Sequence, residues 1–299
     1  MNCKIATAQY PITFFNSIED WKSHIEEWVQ SAAVENADIL LFPEYGAIEL
    51  TSIFTKEIQQ NIHQQLIELQ KLHDVFCDFF ILLAKKYNTI IVAPSFIFQS
   101  GSSFFNRVYV FSNKGNIGYQ DKFFMTRYED ETWGIHSGEK IVTVFEADWG
   151  KFGIQICYDI EFALGANVLC NAGAELILSP SCTETMRGAT RVHVGARARA
   201  MENQAYVVVA QVVQDALWAP AVDINFGYAA AYSTPDINFP EDGILTIGTP
   251  QAAKWLFVNL DFEKIREVRT NGQVFNFKSH QQLQYKYIHE EVKVIYAKC

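Results

Sequence analysis

The sequence predicts an α/β protein built in layers, and three observations lead to that fold class. Short apolar runs, typical of strands buried on both faces, alternate with amphipathic helical patterns. The strands number about a dozen, which is high for one doubly wound sheet, so two sheets packed face to face with helices outside suit them better. No linker rich in Pro, Gly or Ser and no charge block divides the 299 residues, so we predict a single domain.

The first half of the chain begins with a strand followed by a helix. Ser17 opens that helix, with Asp20 three residues later as a variant of the capping box, and apolar residues follow at helical spacing. A turn signal at 113–115 predicts a hairpin. The predicted elements of this half are strands at 3–10, 39–42, 89–93, 105–111 and 119–124 and two helices between 56 and 87.

The second half continues the alternation. A hairpin across 148–150 leads into Cys157, and a helical pattern follows the cysteine directly. Strands are predicted at 142–145, 152–156, 176–181, 206–213, 227–233, 244–247 and 255–260, and helices at 160–171, 189–203 and 262–269. From 272 onward the chain is polar and aromatic without a clear period. We therefore divide it into a domain at 1–275 and an arm at 276–299 that packs on the molecule or on a partner subunit.

Composition and charge argue against several classes of function. The formal net charge of −10 disfavours a surface for DNA or RNA. No apolar run approaches about 18 residues, and residues 1–10 lack the pattern of a signal peptide. The six cysteines form no C-x-x-C pair and no Cys/His cluster with zinc-ligand spacing. We predict reduced thiols in a cytoplasmic protein, with no metal site and no membrane span.

Three apolar strands end in residues that carry chemistry. Glu44 follows the run at 39–42, Lys122 ends the run that begins at 119, and Cys157 ends the run at 152–156. Active sites of α/β folds gather at the carboxyl ends of strands, so we expect the three side chains to meet. A lysine there favours the thiolate and holds a developing oxyanion, while a glutamate takes the thiol proton and passes it to a leaving amine.

Cys157 also lies where a strand gives way to a helix. Such a junction forms a sharp turn that presents the sulfur toward the backbone N–H groups of the helix. Each of the three residues alone has an ordinary explanation: Cys157 as a buried core residue, Glu44 as a helix cap and Lys122 as a solvated charge. Their coincidence at three strand ends favours a catalytic set with Cys157 as the nucleophile.

The three motifs, in this order and at this spacing, resemble those of the nitrilase superfamily of carbon–nitrogen hydrolases. The matching stretches are Leu-Phe-Pro-Glu at 41–44, Tyr-Gln-Asp-Lys at 119–122 and Ile-Gln-Ile-Cys-Tyr-Asp at 154–159. Asn106 and Gly138 are among the supporting matches. The resemblance implies an αββα sandwich that assembles as a homodimer or higher homo-oligomer. It also implies hydrolysis of a C–N bond without a cofactor.

The resemblance further implies a second glutamate beside the lysine. Glu131 lies seven residues before Gly138, as the family spacing asks, and we assign it to this role. Glu129 is the competing residue, and Ser137 stands where the family usually has proline.

The walls of a substrate pocket are expected from loops at the same strand ends. The aromatic candidates could equally be packing residues, and Cys182 is expected to be part of the wall rather than a catalytic group. The candidate substrate-binding residues are Tyr45, Trp133, Tyr158, Cys182 and Thr183.

The predicted function is hydrolysis of a small linear amide by water through a thioester on Cys157. In this reading Glu44 is acid and base, Lys122 and the Tyr158 N–H hold the oxyanion, and Glu131 orients the lysine. The Cys-Tyr-Asp motif favours amidase, ω-amidase or carbamoylase chemistry, because relatives that act on nitriles typically carry Cys-Trp-Glu. Three alternatives stay open: a nitrilase, a non-catalytic binding homologue, and a redox protein in which Cys182 resolves Cys157.

Overall fold

The computed structural model describes residues 1–289 and 294–296, and within them one extensive sheet curls back on itself. The strands are β1 (Asn2–Pro11), β2 (Ile39–Leu41), β3 (Ile90–Val92), β4 (Phe96–Ser100), β5 (Ser103–Ser112), β6 (Gly115–Asp121), β7 (Ile135–His136), β8 (Val144–Ala147), β9 (Gly150–Ile154), β10 (Leu176–Ser181), β11 (Tyr206–Val213), β12 (Ala230–Tyr232), β13 (Ile244–Ile247) and β14 (Lys254–Asp261). The α-helices are α1 (Ile18–Ala33), α2 (Lys56–Gln59), α3 (Ile62–Leu69), α4 (His73–Tyr87), α5 (Ala163–Asn171), α6 (Met186–Asn203), α7 (Phe262–Asn271) and α8 (Asn276–His289).

The order of the strands places the ends of the central ones along one edge. The main path of the sheet is β4-β5-β3-β2-β1-β11-β10-β9-β8, and every neighbouring pair from β3 to β9 is parallel. β1 joins the two halves, because it pairs with β2 through Ile5 and Ile39 and with β11 through Gln9 and Gln211. The carboxyl ends of β2, β9 and β10 therefore lie on the same edge.

The two halves of the curled sheet form the two inner layers of the molecule, and helices form the two outer layers. Val92 and Val108 of one half share an apolar cluster with Ile154 and Leu178 of the other, so the halves pack face to face. Helices α1, α3 and α4 cover the outer face of the first half, while α5 and α6 lie against the second. The predicted αββα sandwich is confirmed.

Several elements differ from the sequence prediction in their bounds. The stretch from 56 to 87 contains three α-helices rather than two, because the side chain of Asn61 accepts a hydrogen bond from Gln64 N and starts a new helix at Ile62. Helix α6 begins at Met186 instead of 189, with Thr185 as its N-cap. The capping of α1 by Ser17 is confirmed, since its side chain accepts from Asp20 N.

The arm at 276–299 contains helix α8, which the polar and aromatic sequence did not reveal. The Phe277 ring packs against the core and lies 4.2 Å from the Arg269 guanidinium, and Asn167 of α5 meets His280 at 3.0 Å. Helix α8 thus packs on its own chain through Phe277 and His280. Packing on a partner subunit stays a prediction, and Cys299 lies outside the described residues.

Candidate active site

The three predicted strand ends converge. β5 is antiparallel to both β3 and β6, so β6 runs in the direction of β3 and ends on the same edge of the sheet. Lys122 follows β6 directly, and its Nζ donates to Glu44 Oε1 at 2.7 Å. The side chains of Glu44 and Lys122 are each 1% exposed, and Cys157 is 5% exposed. A carboxylate, an ammonium and a thiol therefore share one buried site.

Cys157 occupies the sharp turn that its sequence position predicts. Its φ of 48° lies in the left-handed region, and it opens a short 3₁₀ helix, Cys157–Glu161, ahead of α5. A residue other than glycine adopts this conformation at a cost, which is typical of nucleophile elbows. The backbone N–H of Tyr158 lies in the first turn, where a helix has no internal partner for it.

Asp159 ties the cysteine turn to the lysine segment. Its buried carboxylate accepts from Ile156 N at 3.3 Å, just before the nucleophile, and from Phe124 N at 2.8 Å and Phe123 N at 3.1 Å, just after Lys122. Burial raises the pKa of Asp159 to about 7, although these donors and Lys122 work in the opposite direction. One side chain therefore sets the distance between two of the three segments that form the site.

The second glutamate beside the lysine is Glu129, and the assignment of Glu131 to that place is wrong. Glu129 Oε2 lies 2.7 Å from Lys122 Nζ and accepts from Thr126 N and Oγ1 at 2.8 Å each. Glu131 is 57% exposed and pairs with Arg127 at 2.7 Å. The two acids sit in one π-helical turn, Glu129–Trp133, where residues two positions apart face different sides.

Asn106 joins both carboxylates, a contact that the sequence did not reveal. Its Nδ2 lies 2.9 Å from Glu44 Oε1 and 3.4 Å from Glu129 Oε1. Strand β5 holds it there, because Asn106 O accepts from Lys122 N at 2.9 Å. Only its place among the family matches had singled it out in the sequence.

Cys182 contacts the site through its main chain. Its N–H donates to Glu44 Oε2 at 3.0 Å, and its carbonyl accepts from the Cys157 thiol at 3.4 Å. Its own thiol points elsewhere and donates to Asn225 Oδ1 at 3.4 Å. The geometry gives Cys182 a main-chain role in the wall of the site.

The surroundings of Lys122 shift the pKa values of Glu44 and Glu129 in opposite directions. Burial raises the pKa of Glu44, and repulsion from Glu129 adds to the rise against the attraction of Lys122. Burial acts the same way on Glu129, but there the attraction of Lys122 wins and lowers the pKa. Two carboxylates whose pKa values are pushed apart are typical of an acid–base group beside a permanent anion.

The lysine and the cysteine also respond to burial. Burial works against the charge of Lys122, but Glu129 and Glu44 outweigh it and raise its pKa well above the ordinary value. Burial raises the pKa of the Cys157 thiol, and Glu44 raises it further while Lys122 opposes both. The raised pKa favours the thiol form of Cys157 in the resting site, whereas Lys122 favours the thiolate.

A cavity of about 630 Å³ opens beside these groups. The five candidate substrate-binding residues, Tyr45, Trp133, Tyr158, Cys182 and Thr183, all line it. The rings of Tyr45 and Trp133 meet edge to face at 5.7 Å, and the Tyr45 hydroxyl donates to Glu129. Within the described residues no group of three or more His, Cys, Asp or Glu side chains could hold a metal ion.

With this geometry in place, the comparisons with known proteins identify the family. A family model described as carbon–nitrogen hydrolase matches residues 4–269. The chain belongs to the carbon–nitrogen hydrolase family. The resemblance to the nitrilase superfamily drawn from three motifs is thereby confirmed.

Two curated relatives of the family are similar over part of their length. Probable hydrolase YhcX of Bacillus subtilis is 32% identical over 287 residues, which cover 95% of this chain and 55% of that protein. Omega-amidase NIT3 of Saccharomyces cerevisiae is 32% identical over 142 residues, or 48% of this chain and 44% of that protein. The chain thus spans about half the length of these relatives.

The fold is shared with a solved member of the family. The crystal structure of a carbon–nitrogen hydrolase from Helicobacter pylori G27 matches with a TM-score of 0.77 at 16% identity, over 97% of this chain and 99% of that chain. Among residues 1–289 and 294–296, no helix has both the length and the hydropathy of a membrane span.

Proposed function

We propose that the protein hydrolyses the C–N bond of a small linear amide through a thioester on Cys157. The observation that carries the proposal is the buried contact of Lys122 with Glu44 and Glu129 beside that thiol, at one end of a cavity. The omega-amidase name of one relative supports amide chemistry. Glu44, Lys122, Cys157 and Glu129 are the proposed catalytic residues.

In the first half of the reaction, Cys157 Sγ attacks the carbonyl carbon while Glu44 takes the thiol proton. The proton moves during the attack, because the buried thiol resists ionisation beforehand. Lys122 and the Tyr158 N–H hold the oxygen as it becomes negative. Protonated Glu44 then gives its proton to the nitrogen, the C–N bond breaks, and ammonia or an amine leaves a thioester.

In the second half, water replaces the amine. Glu44 takes a proton from water, the oxygen attacks the thioester carbon, and the C–S bond breaks to give a carboxylic acid. The proton on Glu44 returns to the sulfur, so the enzyme regains its starting state. Glu129 stays ionised throughout and holds Lys122 in place, in keeping with its lowered pKa.

The cavity walls are proposed to hold the rest of the substrate. Tyr45 and Trp133 supply an apolar surface, and Tyr158, Cys182 and Thr183 line the part near the nucleophile. Neighbouring Arg191 and Glu161 pair at 3.3 Å within the same wall. We further propose a homo-oligomeric assembly, which light scattering tests, while a cytoplasmic location stays a prediction.

The proposal is tested by measuring ammonia release from ω-amides, aliphatic amides, N-carbamoyl compounds and nitriles. We expect release from amides and, by mass spectrometry, an acyl adduct on Cys157. Cys157→Ser should keep the fold and abolish turnover, while Cys77→Ser, on the outer helix α4, should leave turnover unchanged. An adduct on another cysteine, or preference for nitriles, contradicts the proposal. Absence of turnover with unreactive Cys157 would favour a non-catalytic homologue.

A further inference from the structure

Asn106 lies between the two carboxylates of the site, and no other neutral side chain among the described residues donates to both. It is fully buried, and Nδ2 reaches Glu44 at 2.9 Å and Glu129 at 3.4 Å. Its Oδ1 is buried with no hydrogen-bond partner among the described residues. Asn106 therefore contacts the two carboxylates through its N–H group.

The direction of the amide follows from its neighbours. If the amide were reversed, Oδ1 would face both carboxylates and repel them, and Nδ2 would have no acceptor. Lys122 Nζ shares Glu44 Oε1 with Asn106, at 2.7 Å. Two donors therefore occupy Oε1 of Glu44, which has two lone pairs.

The other oxygen of Glu44 keeps a free lone pair. Oε2 accepts one hydrogen bond in the described site, from Cys182 N at 3.0 Å. The carbonyl of the same residue, Cys182, accepts from the Cys157 thiol at 3.4 Å, so Oε2 is the oxygen of Glu44 on the side of the thiol. With Oε1 filled by Lys122 and Asn106, Oε2 is the oxygen available to the thiol proton.

We propose that Asn106 is a positioning residue that fixes Oε2 of Glu44 as the atom receiving the thiol proton and separates Glu44 from Glu129 without adding charge. The inference rests on the proposed function. A second lysine in this place would neutralise the cluster, and an acid would add a third negative charge to one ammonium. A neutral donor avoids both and leaves Glu44 able to exchange its proton.

Two variants of Asn106 separate this role from simple packing. Asn106→Asp keeps the shape but replaces the donor with an acceptor, whereas Asn106→Ala removes both shape and donor. We expect kcat to fall on the order of 10- to 100-fold in both, with KM within about twofold, and Asn106→Asp to be at least as impaired. A packing role predicts the opposite order, with Asn106→Asp close to the unmodified enzyme. Asn113→Ala, in the exposed turn after the same strand, is the matched control and should keep full activity.

The pH dependence of the rate also tests the proposal, because a role in packing alone would not shift it. Loss of a donor to ionised Glu44 makes protonation easier, so the acid limb of kcat/KM should shift upward by about one unit in Asn106→Ala. The rate of Cys157 alkylation by iodoacetamide should show the same shift, because Glu44 assists removal of the thiol proton. An unchanged limb in a folded variant overturns the proposal. If Asn106→Ala and Asn106→Asp do not fold, Asn106→Ser, which is too short to reach both carboxylates, carries the same expectation.

The alkylation experiment also separates two kinds of failure. It needs no amide substrate, so it tests Asn106 even if no compound in the panel releases ammonia. Ammonia release by Cys157→Ser would overturn the proposed function. Normal turnover with an unchanged alkylation profile in Asn106→Asp would overturn only the role of Asn106.

Discussion

Glu129 and Glu131 lie two residues apart and meet opposite surroundings. Glu129 is 1% exposed against Lys122, whereas Glu131 is exposed and pairs with a solvated arginine. Removing one partner of a buried ion pair strands the other charge, while an exposed pair contributes little. The two positions therefore offer a matched comparison of one substitution.

We predict that Glu129→Gln lowers kcat by on the order of 100-fold and lowers stability by about 3 kcal/mol. Glu131→Gln should change kcat by less than about twofold, because its ion pair is exposed. Steady-state kinetics and chemical denaturation of the two variants provide the comparison. Equal losses in both would contradict the assignment of Glu129.

The pKa of Glu44 predicts the acidic side of the rate profile. Glu44 must be ionised to take the thiol proton, and burial raises its pKa above the ordinary value of 4.5. The kcat/KM for any amide that is hydrolysed should therefore fall as the pH drops through a value higher than 4.5. A limb at or below the ordinary value of glutamic acid would count against Glu44 as the base.

The sequence was sufficient to predict some residues of the site and not others. Glu44, Lys122 and Cys157 could be predicted, because each ends an apolar run and strand ends gather at one edge. Glu129 could not, because three acids follow one another at 129–131 and only the turn decides which one faces inward. The main-chain contacts of Cys182 carry no signal in residue identity at all.

The short elements around the strand ends also carry buried charged groups. A 3₁₀ helix, Gly46–Ile53, follows Glu44, and its Glu49 is fully buried. The Glu49 carboxylate accepts from Tyr10 OH at 2.8 Å and Trp21 Nε1 at 2.9 Å. Burial raises its pKa to about 8, against these donors.

This shift predicts how stability changes with pH. The folded pKa of Glu49 exceeds the unfolded value, so its contribution is complete below about 4.5 and is lost as the pH rises through about 8. Relative to Glu49→Gln, the unmodified protein should lose stability across that window, by up to about 1.4 kcal/mol per pH unit. Urea denaturation at both ends of the window measures the difference. A difference independent of pH would show that Glu49 does not titrate there.

The hydrogen bonds of Asp159 connect the segment after Lys122 with the segment before Cys157, and we predict the effect of weakening them. Asp159→Asn keeps one acceptor but turns an NH₂ group toward backbone donors, so the segments should shift and kcat should fall about tenfold or more. Asp148→Asn, in the exposed β8–β9 hairpin, is the control for the same chemical change and should be silent. Kinetics in both variants, with circular dichroism to confirm folding, distinguish a local shift from unfolding.

At the scale of the whole molecule, the layer order could be predicted and the end of the chain could not. Continuous apolar runs identify strands buried on both faces, and their number required two packed layers. Helix α8 was missed because its sequence mixes polar and aromatic residues, and its position depends on the Phe277 contact with the core. Contacts of different kinds, an aromatic ring at Phe277 and a polar side chain at His280, leave no apolar period to detect.

The described contacts of α8 predict the effect of removing the arm. Deleting 276–299 should lower Tm by about 5 °C, because the Phe277 ring and its contact with Arg269 are lost. The number of subunits measured by light scattering should not change, since these contacts lie within one chain. Phe277→Ala in the full chain should reproduce most of the loss in calorimetry. A fall in the number of subunits would instead place the arm on a partner subunit.

Cys182 touches Glu44 and Cys157 through atoms that every amino acid possesses. Its N–H and carbonyl would remain in any variant except proline, which lacks the N–H. The side chain at this position can therefore be exchanged while the two contacts persist. Because it also lines the cavity, position 182 is a natural place to engineer the substrate range by saturation mutagenesis without rebuilding the chemistry.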